Sequence, residues 1–242
     1  MNTDKKQALS VHLKAIRRML IVSVASVAVL FVLFFYLLCG PLVDFVLAPV
    51  RARGIEVITT SVSEALMMQF KVCLIAAVIA GMPVIIWQVW VFVAPALYPQ
   101  EKRLFAALFF VALLLFVGGV VFCYCLVFPM AIDLFWSAAD GVASTLWSVK
   151  EYFNFVLSFV LPFGLMFELP VVVYMLARRG LVTYQKLAHS RKYVILVIAI
   201  IAAILTPPDA VSQCMLAIPM ILLYEVAAQL ARLVKPKKPA EA

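Results

Sequence analysis

The chain has 242 residues, of which 67% are hydrophobic and only 13% charged, with a mean hydropathy of +1.12. Soluble domains are roughly half apolar and about a quarter charged, so a water-soluble globule is excluded and an integral membrane protein is expected. The formal net charge of +8 is accounted for by cations that border the spans and face anionic headgroups, and no nucleic-acid partner is inferred from it.

A membrane helix needs about 20 mostly apolar residues to cross a hydrocarbon core of about 30 Å. The apolar runs here are continuous rather than alternating, which points to helices and not to a β-barrel. The fold class expected is therefore all-α, a polytopic bundle of six spans. Residues 1–18 read as a polar N-terminal tail. The first span, 19–39, is too long for a secretory signal and lacks a small-residue cleavage site after it. Residues 40–66 are too polar to cross and too apolar for a solvated linker, so they read as an amphipathic outer cap punctuated by Pro41 and Pro49. The second span, 67–93, leads into the connection FVAPALYPQEKRL, and the third, 105–132, into a second outer cap near 133–152. The fourth span covers 153–177. The fifth, 193–206, has 14 residues before Pro207 and Pro208, about 21 Å of helix, and the sixth, 212–229, contains Pro219 and Glu225. The transmembrane domain thus runs over 19–232, followed by a basic tail, 233–242. No internal repeat is visible.

Lys and Arg gather on one side of these spans: Lys5, Lys6, Lys14, Arg17 and Arg18; Lys102 and Arg103; Arg178, Arg179, Lys186, Arg191 and Lys192; Arg232, Lys235, Lys237 and Lys238. The other side holds Arg51, Arg53 and Lys150. By the positive-inside rule both termini are cytoplasmic, as an even number of spans requires.

Signatures of enzyme chemistry are missing: the chain has no phosphate-binding glycine loop, no HExxH and no GxSxG. Two histidines, His12 and His189, cannot build a histidine-rich metal site, and five cysteines in or beside apolar runs read as small packing residues rather than a disulfide framework. No catalytic residue, metal or cofactor is expected. Trp87, Trp90, Trp136 and Trp147 read as interfacial anchors near span ends.

One residue breaks the apolar pattern. In LPFGLMFELPVVVYML, Glu168 lies ten residues from Arg178, about 15 Å inside the boundary, where an acid costs at least about 3 kcal/mol. It is either packing glue hydrogen-bonded to a neighbouring helix or a polar spot in a groove that another molecule enters. Pro162 and Pro170 bend the helix and favour the groove. Glu101, beside Lys102 and Arg103, reads by itself as an ordinary loop acid, and Arg17 as a topological cation.

Several stretches together resemble one family. HLKAIRRML (12–20), PVIIWQVWVFVAPALYPQEKR (83–103), FGLMFELPV (163–171) and LTPPDAVSQ with AIPM (205–220) are similar to the motifs of TatC, the multispanning receptor of the twin-arginine protein translocase. The resemblance covers about residues 10–232, with six spans in the same order. It implies a concave bundle in the bacterial cytoplasmic (inner) membrane that binds twin-arginine signal peptides. With A-type and B-type single-span Tat subunits it exports folded proteins, driven by the proton-motive force. Glu101 matches the family's loop carboxylate for the arginine pair; Arg17, Leu13 and His12 match its N-terminal motif; Phe92, Pro95, Leu97 and Tyr98 match the neighbours of that loop. Glu168 matches the intramembrane glutamate of the groove. Thr206 and Gln213 match a partner-docking patch, and Pro207, Pro208 and Asp209 the outer turn. Self-association is also expected.

The chain departs from the family's HLxELR motif in carrying Ala15 where a glutamate is usual, which shifts the arginine-binding burden to Glu101, to backbone carbonyls or to an acid elsewhere. Two alternatives from other classes stand beside this reading. One is a proton-coupled small-solute permease with Glu168 as its proton site. The other is a structural assembly scaffold, in which neither glutamate would affect signal crosslinking.

Overall fold

The computed structural model describes residues 3–97, 102–139, 146–206 and 209–234. Helix α1 (Thr3–Leu37) is followed by α2 (Cys39–Arg51), strand β1 (Val57–Ile58), α3 (Glu64–Leu97), α4 (Lys102–Phe122), a π-helical turn (Cys123–Val127), α5 (Phe128–Ala139), strand β2 (Trp147–Ser148), α6 (Val149–Met166), α7 (Leu169–Arg178), α8 (Tyr184–Leu205) and α9 (Ala210–Leu233). Among the described residues six helical stretches are long and apolar enough to cross a membrane: Leu13–Leu37, Glu64–Phe92, Ala106–Ser137, Val149–Arg178, Tyr184–Leu205 and Ala210–Leu233.

Three boundaries differ from expectation. The polar N-terminal segment is not separate from the first span, because α1 is helical from Thr3. The FVAPAL stretch, read as a connection, continues α3 to Leu97. The fifth span is not confined to its 14 apolar residues: α8 begins at Tyr184, where Thr183 Oγ1 accepts from Lys186 N at 3.4 Å. An N-capping hydroxyl satisfies a backbone donor that would otherwise be orphaned, so the helix starts in the charged segment. Its 22 residues span about 33 Å at the standard helical rise, but the turns up to Lys192 are polar, so the apolar part of the helix stays short.

The chain divides into two compact units. The first comprises Met1–Leu42 and Gln69–Leu113. Within it α1 packs on α3 through aromatic rings, Phe35 stacking on Phe70 at 4.7 Å and Phe31 at 5.8 Å. About three turns further along α3, Gly81 lets α1 come close: a Cβ there would lie 3.3 Å from Val27. Trp90, expected at the interface, is buried, whereas Trp87 is exposed and meets Phe109 of α4 edge-on at 5.3 Å.

The second unit comprises Val43–Met68 and Leu114–Ala242. It includes α2 with the two short strands, which pair in parallel, Val57 with Trp147 and Ile58 with Ser148. Three side chains tie α2 and the turn after it down. Tyr124 donates to Phe45 O at 2.8 Å while its ring stacks on Phe45 at 4.4 Å. Tyr152 donates to Val46 O at 2.7 Å. Arg53 forks onto Asp133, Nε to Oδ1 at 2.6 Å and Nη2 to Oδ2 at 3.1 Å, and this pairing holds the guanidinium pKa above its ordinary value. The π-helical turn that aims Tyr124 has a local cause. Pro129 cannot donate and clashes with the carbonyl four residues back; the ladder widens instead, Phe128 N donating to Cys123 O.

Candidate functional site

The fourth span is two helices. Ser148 caps α6, accepting from Glu151 N at 3.5 Å, and α6 runs to Met166. The chain then tightens: Phe167 N donates to Phe163 O at 3.1 Å and Glu168 N to Leu165 O at 3.1 Å. Pro170, in the first turn of α7, needs no acceptor, because the first amides of a helix have none within it. Glu168 therefore stands at the break, as N-cap of α7, its carbonyl accepting from both Val171 N and Val172 N at 3.1 Å. Its side chain makes no capping bond.

Helix α4 wedges against this break. A Cβ at Gly164 would fall 2.5 Å from the fully buried Phe116 ring, and one at Gly119 would fall 2.8 Å from Phe163 O and 2.9 Å from the Phe167 ring. Only glycine lets the two backbones approach so closely. Phe122 sits 5.8 Å from Phe163 and 5.6 Å from Phe167, so aromatic packing holds the break open on one side. Phe122 and Phe167 also border an apolar cavity of about 810 Å³ shared with Leu126, Met130, Ile218 and Leu222.

Within this frame Glu168 Oε1 is shut off from the surface and accepts no hydrogen bond among the described residues. The packing-glue reading requires a donor from a neighbouring helix, and none is present there. An unpaired polar oxygen at this depth is costly, and a donor brought by an incoming chain would lower that cost.

A second polar group lies where the end of α8 meets the start of α9. Thr206 caps the end of α8, buried, its Oγ1 donating to Ala202 O at 2.8 Å. Asp209 caps α9, accepting from Ser212 N at 2.6 Å. Gln213 reaches across to α8, Nε2 donating to Ala199 O at 3.0 Å, and its amide oxygen accepts nothing among the described residues. Ser212 is fully buried and its hydroxyl has no partner among the described residues; sequence reading passed over it because an isolated serine in an apolar run carries no signal of burial.

The positions expected to meet a signal peptide are only partly described. Leu13 and Arg17 are exposed on α1, Leu13 to 62%, and Phe92 is half-buried in α3. Pro95 and Leu97 lie on the last turns of α3, and His12 on α1, but their side chains fall outside the described residues. Tyr98, Glu101, Pro207 and Pro208 lie outside the described residues altogether.

Sequence reading also missed the ion pair between Arg191 of α8 and Glu225 of α9, beside which Tyr224 donates to Leu187 O at 2.8 Å. A signal was available: the two residues stand at nearly equal distances from the turn between their helices, so an antiparallel hairpin brings them level.

Comparison with known proteins agrees with this architecture. Residues 11–219 match the family described as Sec-independent protein translocase protein (TatC). The chain is 38% identical over 236 residues to the Sec-independent protein translocase protein TatC of Carboxydothermus hydrogenoformans, covering 97% of each chain. To the protein of that name from Haemophilus influenzae it is 36% identical, over 98% of this chain and 93% of the other. It superposes on a crystal structure of the twin-arginine translocase receptor TatC with a TM-score of 0.86 at 36% identity, covering 92% of this chain and 98% of that one. These likenesses are to a protein translocase subunit and not to a solute permease.

Proposed function

The chain belongs to the TatC family of Sec-independent protein translocases, and on that premise we propose that it is the receptor that binds twin-arginine signal peptides in the bacterial cytoplasmic membrane. It works with A-type and B-type single-span subunits, and both its termini are cytoplasmic. The carrying observation is the unpartnered Glu168 oxygen at the break of the fourth span. A multispanning protein that leaves a buried acceptor unfilled is built to receive a donor from another chain.

In this reading Glu101 grips the guanidinium pair, with Arg17, His12, Leu13, Phe92, Pro95, Leu97 and Tyr98 around it. A planar guanidinium fork suits a carboxylate in a way that a lysine ammonium does not. The apolar part of the signal then approaches Glu168. Partner spans dock at the α8–α9 end, where Thr206 has spent its hydroxyl proton internally and the amide oxygen of Gln213 is the acceptor left over. Asp209, with Pro207 and Pro208, shapes the outer turn.

The test is site-specific photocrosslinking from positions in the 98–103 connection to a precursor with and without its arginine pair. The reading expects adducts that need both arginines and fall on Glu101→Ala at matched expression. Adducts indifferent to the arginines and to Glu101→Ala would overturn it.

A further inference from the structure

A cation cluster lies where α8 begins and α9 ends, and the reading above makes no use of it. Tyr184, the first residue of α8, has two guanidinium groups against its ring: Arg191 Cζ lies 5.9 Å from the ring centroid and Arg232 Cζ 5.8 Å. Arg191 belongs to α8 and Arg232 to the last turn of α9, so one aromatic plate gathers cations from both helices. Among the described residues a single carboxylate answers them. Glu225 pairs with Arg191, and its Oε1 also accepts from Gln229 Nε2 at 3.3 Å. Arg191 Nη2 additionally donates to Tyr184 Oη at 3.4 Å.

This leaves one cation in excess. Arg232 is exposed and meets no carboxylate among the described residues. Neighbouring apolar side chains are bare, Leu233 to 78% and Tyr193 to 57%, so the cluster sits where headgroup gives way to hydrocarbon. Of the other cations of this edge, Lys186 Nζ donates to Leu181 O at 3.4 Å and Lys192 Nζ lies 5.1 Å from the Tyr193 ring centroid, so each is spent singly on its own neighbour. Arg191 and Arg232 differ in being held by a shared ring, and Arg191 by its ion pair as well.

We propose that Arg232 and Arg191, held on Tyr184, bind the phosphate of an anionic phospholipid headgroup at the edge of the α8–α9 hairpin. A guanidinium fork matches phosphate oxygens in pairs, and basic pockets between spans suit such headgroups. A free phosphate ion has the same headgroup chemistry but gains nothing from the apolar surround.

The test offers the purified, lipid-stripped full-length chain phosphatidylglycerol, phosphatidylcholine or inorganic phosphate in detergent, and reads bound species by native mass spectrometry. Phosphatidylglycerol is retained and phosphatidylcholine is not. Arg232→Gln weakens phosphatidylglycerol binding about fivefold, the effect of one basic residue at a headgroup. Tyr184→Leu, which keeps both cations but removes the plate, weakens it as well, while Tyr184→Phe retains it. Arg191→Gln combined with Glu225→Gln also lowers binding, and no carboxylate is left stranded in that variant. Equal phosphatidylglycerol binding by the wild type, Arg232→Gln and Tyr184→Leu overturns the site. Equal retention of phosphatidylcholine, or displacement of the lipid by inorganic phosphate, overturns the assignment to an anionic lipid.

Discussion

Glu168 was conspicuous in the sequence because a charge inside an apolar run is expensive. What the run could not disclose is whether a neighbouring helix supplies a donor, and the structure leaves Oε1 without one among the described residues. If an incoming chain supplies that donor, Glu168→Gln should retain most export of a twin-arginine reporter. Glu168→Leu should lower it by about five- to tenfold, the worth of one hydrogen bond. Equal export by both variants and the wild type would remove Glu168 from the mechanism. Ala15 bears on the same scale. Restoring an acid by Ala15→Glu adds at most an exposed ion pair, about 0–1 kcal/mol, so signal-peptide affinity should rise by no more than about fivefold in a direct binding assay. A measured loss would mean that this chain meets the arginine pair in another way.

Among the elements, the fourth span shows how local rules and packing divide the work. The prolines around Glu168 announced a bend in the sequence, and the structure makes it a break, with Pro170 in the first turn of a new helix. The closeness of α4 is not legible in the sequence, because Gly118 and Gly119 look equivalent in a row of apolar residues. In the fold they differ: a Cβ at Gly118 meets nothing within 4 Å, while one at Gly119 would strike Phe163 O and the Phe167 ring. Gly119→Ala or Gly164→Ala should therefore destabilise the purified protein by about 1–3 kcal/mol, since the buried wall they strike cannot yield. Gly118→Ala should melt like the wild type. Identical melting curves for all three would show that the helices part more easily than this packing implies. The α8–α9 hairpin repeats the lesson, as its apolar run understated the length of α8 and the cap at Thr183 set it.

For the whole molecule, the six spans follow from apolar run lengths, and the clustering of Lys and Arg predicts which ends face the cytoplasm. With the native cysteines replaced by alanine, single cysteines at Thr59 in the first cap or Ser137 at the end of α5 should react with a membrane-impermeant thiol reagent added outside intact cells. A cysteine at Thr183, between α7 and α8, should react only after the membrane is opened. The reverse pattern would invert the topology and move the Glu101 connection to the wrong side for a cytoplasmic signal.

Legible in the chain alone were the membrane as solvent, the number and order of the spans, a bend at the prolines around Glu168 and the family motifs. All of these are carried by residues close together in the chain, through hydropathy, proline and capping. Which polar groups find partners was settled by the tertiary packing: Arg53 with Asp133, Arg191 with Glu225, Gln213 with the Ala199 carbonyl, and Glu168 Oε1 with none among the described residues. Hydrogen bonds and ion pairs act over a few ångströms. Whether two residues many positions apart come within that reach depends on helix rotation and depth, which no single stretch of sequence specifies.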